Sequence, residues 1–243
     1  TVAVNLACAL KQLGASVGLL DADVYGPSIP KMMGVDRLPL IATDKIPTAE
    51  AYGVRLMSIG FMVPQERAMI WRGPMLHSAV RQFLADVDWG DLDYLVVDLP
   101  PGTGDVQLSL TQTIPITGGI LVTLPQQVSF DDAVRGMYMF KEMSVPVLGV
   151  VENMSYLDLP NGERMEIFGN GGGKKLAEAA GVELMGQIPI ESEIREGGDS
   201  GIPIVIAHPE SVSASILVEI AKKVAARVSV INAGIKKDTT DGS

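Results

Sequence analysis

The chain has 243 residues, with 19 Lys or Arg against 29 Asp or Glu and a net charge of −10, which argues against broad, charge-driven binding of DNA or RNA but not against a small anion held by backbone amides. With 47% hydrophobic and 20% charged residues there is enough apolar material for a sizeable core, and disorder is excluded for most of the chain. Aromatic residues are only 5%, against 26 Gly and 15 Pro, which suits an α/β protein with tight loops better than an all-β sandwich.

In chain order, Val2, Leu6, Ala9, Leu10 and Leu13 recur at helical spacing and predict a helix over 1–13 that Gly14 ends. Residues 16–20 are a continuous apolar strand, of the kind buried on both faces, running into Asp21-Ala22-Asp23. A loop rich in Gly, Pro and Met follows to about Met33, and short strands are predicted near residues 55–59. A helix is predicted over 75–84, a strand over 94–97 that ends at Asp98, and a helix over 105–113. Then come a strand over 119–124, a helix over 130–143 with Phe130, Val134, Met137 and Phe140 inward, and a strand over 147–151 ending at Glu152-Asn153. A helix over 173–180 and a strand over 183–187 precede a closing helix over 212–228, whose stripe is Val212, Ile216, Ile220 and Val224.

Strand and helix alternate, which implies right-handed βαβ crossovers and a mostly parallel twisted sheet with helices on both faces. No repeat or linker interrupts the chain, so one domain is expected over 1–230, with a polar tail over 231–243 that reads as disordered. No window of 18 apolar residues exists, so no membrane span is expected, and no basic-then-apolar signal peptide is present. Thr1 opens directly into an apolar helical pattern, which leads us to expect a preceding segment. The single cysteine, Cys8, forms no internal disulfide, supplies no zinc or cluster site within one chain, and fits cytosol-like redox conditions.

Ligands of such sheets sit at the carboxyl ends of strands, and three strands end in polar residues: Asp21/Asp23, Asp98 and Asn153. In Asp98-Leu99-Pro100-Pro101-Gly102-Thr103-Gly104-Asp105 an apolar strand delivers a carboxylate, two prolines stiffen its exit and two glycines free the backbone. Such an Asp either holds a Mg²⁺-bound water in a nucleotide-hydrolysing fold, with a glycine amide near the terminal phosphate, or caps a turn. The Asp21/Asp23 pair, at i and i+2 on one strand face, either surrounds a cation or water network or is a solvated strand end.

Thr1-Val2-Ala3-Val4-Asn5-Leu6-Ala7, Asp21-Ala22-Asp23-Val24-Tyr25-Gly26-Pro27-Ser28, Trp71-Arg72-Gly73-Pro74, Asp98 to Asp105, Thr123-Leu124-Pro125-Gln126-Gln127 and Glu152-Asn153-Met154-Ser155-Tyr156 together resemble the Mrp/ApbC family. These are P-loop ATPases of the deviant Walker A, MinD/ParA-like class, regarded as iron–sulfur cluster carriers. The resemblance covers residues 1 to 230. It implies that Asp23 orients the attacking water, that Asp98 belongs to the Mg²⁺ shell through water, and that Gly102 lies near the γ-phosphate. It further implies that Asn153 reads the adenine edge, that Pro189 and Glu191 flank the base, and that Thr1 lies near the α-phosphate. ATP and Mg²⁺ are the implied cofactors. A homodimer is implied, serving iron–sulfur apoprotein clients or assembly factors, in the cytoplasm or an organelle, with no nucleic acid or membrane partner.

Two departures stand out. The family's Gly-Lys-Gly-Gly-Val-Gly-Lys-Ser loop and its strand do not precede Thr1, and Gly171-Gly172-Gly173-Lys174-Lys175 lacks the spacing to replace them. The Cys-x-x-Cys that follows Asn-Met-Ser-Tyr in the family is replaced by Leu157-Asp158-Leu159-Pro160-Asn161-Gly162-Glu163-Arg164. Carboxylates are poor substitutes for thiolates, so no residue is assigned as an iron–sulfur ligand and a [4Fe–4S] cluster is implied by the family only. Asn161-Gly162 reads as a hairpin turn. ATP-dependent iron–sulfur cluster assembly or transfer is the expected function. The alternatives are a nucleotide-gated dimeric scaffold that carries no cluster and a MinD/ParA-type positioning ATPase. Cys8 is expected in the core, His77 on a helix, His208 in a loop, and the Met32, Met33, Met57, Met62, Met69 and Met75 group as core filling rather than a partner groove.

Overall fold

The computed structural model describes residues 1–23, 26–40, 44–62, 73–100, 107 and 113–240. They fall into two units, Thr1–Pro115 with Glu191–Ala214, and Ile116–Ile190 with Ser215–Ser243.

In the first unit the helix Val2–Gln12 buries Val4, Leu6, Cys8, Ala9 and Leu10, while Leu13, expected on the same face, is the exposed C-cap. Its buried face packs on β1 (Val17–Asp21), which is buried along its whole length. The loop expected up to Met33 contains a short helix, Ile29–Met32, started by Ser28 with Pro30 in its first turn, where a fixed φ favours the helix. Then come β2 (Ala49–Ala51), β3 (Val54–Ser58), the helix Gly73–Ala85 and β4 (Tyr94–Asp98). The sheet order is β2-β3-β1-β4. β1 lies parallel to β3 and β4, and β2 pairs antiparallel with β3. The later helices Ser192–Ser200 and Ile204–Ala207 return to this unit. There Asn5, buried in the first helix, accepts the Val205 amide at 3.3 Å through Oδ1, and its Nδ2 donates to Thr1 O at 3.0 Å.

In the second unit β5 (Gly119–Thr123), the helix Gln127–Glu142, β6 (Val147–Glu152), β7 (Leu157–Asp158), β8 (Arg164–Met165), the helix Gly172–Ala180 and β9 (Leu184–Gln187) follow one another. β5, β6 and β9 form a parallel sheet in that order. Gln127–Glu142 packs on β5, with Phe140 buried and Phe130, Val134 and Met137 half-buried. β7 and β8 form the hairpin expected around Asn161-Gly162, with Gly162 at φ 84°.

The closing helix, Val212–Thr240, runs further than expected and takes in residues read as a disordered tail. Its stripe is also shifted. Val212 is exposed, and Ala214, Leu217, Ile220, Ala221 and Val224 are buried, because the contacting face follows three- as well as four-residue steps. The helix expected over 105–113 lies almost wholly outside the described residues, as do Met69, Trp71 and Arg72. Among the described residues no helix is long and apolar enough to cross a membrane.

Candidate functional site

The parallel register of the first sheet carries polar residues to one end. Asp21, the last residue of β1, is the partner of Ser58 on β3 and of Asp98 on β4. Asp21 is 1% exposed, and its Oδ2 accepts from Ser58 Oγ at 2.9 Å and from the Ile29 amide at 3.4 Å. Its Oδ1 accepts the Asp23 amide at 3.2 Å. Ser58 is held in turn, because its Oγ accepts the Gly60 amide at 2.9 Å. Asp23 is therefore not a strand residue beside Asp21, as the i, i+2 spacing implied; the strand stops at Asp21 and Asp23 sits in the turn that Asp21 caps.

Burial pushes the Asp21 carboxyl up to about 6; the hydrogen bonds from Ser58 and Asp23 work against that rise, and the Asp98 charge adds to it. Burial likewise holds Asp98 above the usual carboxylate range, and Asp23 adds to the rise. Asp21, Asp23 and Asp98 thus share one electrostatic neighbourhood, and Ala22 N ties the two strand ends by donating to Asp98 O at 3.0 Å.

Carboxylates with raised proton affinity, Asp21 buried and Asp98 half-buried, beside a hydroxyl, are a hard oxygen set whose charge a cation would offset. Among the described residues no group of three or more His, Cys, Asp and Glu is gathered to hold a metal ion. Mg²⁺ keeps several of its waters and takes one or two carboxylates. Gly102 lies outside the described residues. Glu191 belongs to this unit, where it starts the helix Ser192–Ser200 and its Oε1 accepts the Ser213 amide at 3.2 Å.

In the second unit Asn153 follows β6 directly. Its backbone amide donates to Thr123 O at 2.8 Å, and its side-chain amide makes no hydrogen bond among the described residues. Pro189 is buried just beyond β9, where Ile188 N donates to Glu152 O and Ser155 N to Ile188 O, both at 2.8 Å. Gly171 starts the helix Gly172–Ala180, and the Gly173 amide is taken by Glu152 Oε2 at 2.6 Å, so the glycine run serves packing.

The β7–β8 hairpin carries no thiol, and its one sulfur is the exposed Met165 thioether. Arg164 bonds Asp158 at 3.0 Å and lies 3.4 Å over the Tyr156 ring. Cys8 is fully buried, 3.9 Å from Met33 Sδ, and burial pushes its thiol up to about 12. Met33 and Met57 are core, as expected, whereas Met62 and Met75 are exposed. Sequence reasoning missed Ser58, the Ile29 amide and Glu152. Only Glu152 left a signal, a charged residue closing an apolar strand.

Residues 1–225 match the family described as ParA, NUBPL iron-transfer P-loop NTPase. The chain is 54% identical over 233 residues to the iron-sulfur cluster carrier protein of Deinococcus radiodurans, covering 95% of this chain and 66% of that protein. It spans about two thirds of the length of the curated relatives it matches. Among solved structures it resembles a nucleotide-binding protein in complex with ADP from Archaeoglobus fulgidus, with a TM-score of 0.72 and 33% identity over 86% of this chain and 82% of that one. It also resembles the septum site-determining protein MinD complexed with Mg-ADP from Pyrococcus horikoshii, with a TM-score of 0.69 and 22% identity over 95% of this chain and 91% of that one, a likeness of fold. The architecture is the α/β fold of MinD/ParA-like P-loop NTPases.

Proposed function

The chain belongs to the NUBPL iron-transfer P-loop NTPase family, and from that membership we propose that it binds ATP with Mg²⁺, hydrolyses it slowly and couples this to iron–sulfur cluster assembly or transfer. The observation that carries the reading is the pairing of Asp21 with Asp98 at adjacent strand ends. Two carboxylates on neighbouring strands, Asp21 buried and Asp98 half-buried, repel one another unless a cation or proton is near.

In this reading Asp98 would hold Mg²⁺ through water, and Asp21, held by Ser58 and Ile29, fixes the turn that presents Asp23. Asp23 orients the attacking water and takes part of its proton's charge. When bound, Mg²⁺ neutralises charge on the phosphate oxygens. Thr1 lies by the α-phosphate and Gly102 by the γ-phosphate. Asn153 offers one donor and one acceptor to the adenine edge, which its unengaged side-chain amide supports. Pro189 and Glu191 flank the base.

The protein acts as a homodimer in the cytoplasm on iron–sulfur apoproteins or assembly factors, and the cluster is cargo. No cluster ligand is assigned to residues 157–164, since soft iron–sulfur ligation needs thiolates. The test is calorimetric titration of ATP with and without Mg²⁺, on this chain and on a form extended ahead of Thr1 by the family's glycine-rich, lysine-containing loop. The extended form binds ATP, Mg²⁺ strengthens binding, and Asp98→Asn removes most of the Mg²⁺ effect. An Asp98→Asn variant with the parent's Mg²⁺ dependence contradicts the assignment.

A further inference from the structure

Glu152 ends β6 and is fully buried, yet no cation meets it among the described residues. Its Oε1 accepts from Ser155 Oγ at 2.5 Å and from Gln187 Nε2 at 2.8 Å, and its Oε2 accepts the Gly173 amide at 2.6 Å. Gln187 Nε2 also reaches Ser155 Oγ at 3.2 Å. All three partners of the carboxylate donate. An acceptor-only group therefore fits the position, whereas a side-chain amide would turn an N–H toward another donor. The helix start is pressed against it as well: a Cβ on Gly173 would lie 2.7 Å from Glu152 Cβ and 3.0 Å from Oε2.

The residues this network encloses are Asn153 and Met154. Met154 has φ 49°, in the left-handed region that a methionine seldom occupies, so the turn needs support from its surroundings. The Glu152–Ser155 side-chain bond spans it, and the main chain closes it from below through Ile188 N to Glu152 O and Ser155 N to Ile188 O. One carboxylate thus connects the ends of β6 and β9, the start of the helix Gly172–Ala180 and the far side of the turn that carries Asn153.

We propose that Glu152 is the positioning residue that fixes the Asn153 turn and, through it, sets the preference for an adenine over a guanine nucleotide. This rests on the reading of Asn153 as the base-contacting residue. Glu152 does not touch the nucleotide; it determines where the Asn153 amide stands.

The experiment compares binding of ATP and GTP by calorimetry, together with kcat for ATP, in the form extended with the phosphate loop and its Asn153→Ala, Glu152→Gln and Ser155→Ala variants. Glu152→Gln lowers the ratio of ATP to GTP affinity about tenfold, with kcat at saturating ATP within about twofold of the parent, and Ser155→Ala moves the ratio the same way by less. If Glu152→Gln does not fold, as judged by circular dichroism, Ser155→Ala decides by the same ratio. A purely structural role lowers melting temperature and weakens both nucleotides alike. A ratio unchanged in Glu152→Gln and Ser155→Ala, with Asn153→Ala shifted, overturns this inference and leaves the reading of Asn153 standing. A ratio unchanged in Asn153→Ala overturns both.

Discussion

Asp21 and Asp98 are register partners on the parallel strands β1 and β4, and both carboxyls are pushed above their ordinary range, chiefly by burial. The pairing has a cost in stability that depends on pH. Asp21 titrates near 4 in the unfolded chain and at about 6 in the fold. Between those values the folded state binds more protons at Asp21, so this group's contribution to stability is greatest below about pH 4, falls as pH rises to about 6 and is level above. The penalty at neutral pH is on the order of 2–3 kcal/mol. Asp21→Asn removes this titration, so its melting temperature should gain on the parent's between pH 4.5 and pH 7.5. A difference between the two proteins that does not change with pH contradicts this account of Asp21.

The close approach of two turns makes a second prediction. Gly201, at φ 78°, ends the helix Ser192–Ser200, and a Cβ there would lie 2.5 Å from the Gly34 Cα. Backbone cannot yield as a flexible side chain can. Gly201→Ala should therefore cost about 2 kcal/mol or more, the left-handed backbone adding to the clash. Gly162→Ala, at φ 84° with open space around it, should cost only about 1 kcal/mol. Urea denaturation of both variants checks the order; equal losses would show that the contact with Gly34 relaxes freely.

Cys8 carries the third. Its thiol is fully buried and its pKa is pushed up to about 12, so little thiolate forms at neutral pH. The native protein should not react with a disulfide reagent such as DTNB, and should react fully in denaturant. Anaerobic reconstitution of this chain with iron and sulfide should give no stoichiometric [4Fe–4S] chromophore, and Cys8→Ala should behave like the parent. A stable cluster in this chain would mean that non-thiolate groups ligate iron.

Much of this was legible from sequence where the signal was local. The apolar runs at 16–20, 94–97, 119–124 and 147–151 announced parallel strands; β1 and β6 are buried as such runs imply, whereas β4 is half-buried along its length and Val122 of β5 is exposed. The polar residues closing them, Asp21, Asp98 and Asn153, marked the carboxyl ends where ligands sit. What was not legible depended on register and on contacts between distant segments. Nothing near Ser58 says that it will stand beside Asp21, 37 positions away, until β3 pairs with β1. The Ile29 amide became a partner of Asp21 because a short helix starts there, in a stretch whose prolines and glycines read as loop. The stripe of the closing helix held at Ile220 and Val224 but not at Val212, because four-residue steps alone drift around a 3.6-residue helix and its first member came to face outward.

The most direct test of the account is single-turnover hydrolysis of ATP by the form extended with the phosphate loop, comparing the parent with Asp23→Asn. Asp23 is held in its turn by the hydrogen bond that its backbone amide donates to Asp21 Oδ1, and its proposed task is to orient water, not to bind phosphate. The account predicts a fall of about 100-fold or more in the hydrolysis rate, with ATP affinity within about threefold of the parent. An Asp23→Asn variant that hydrolyses ATP at the parent's rate would contradict it.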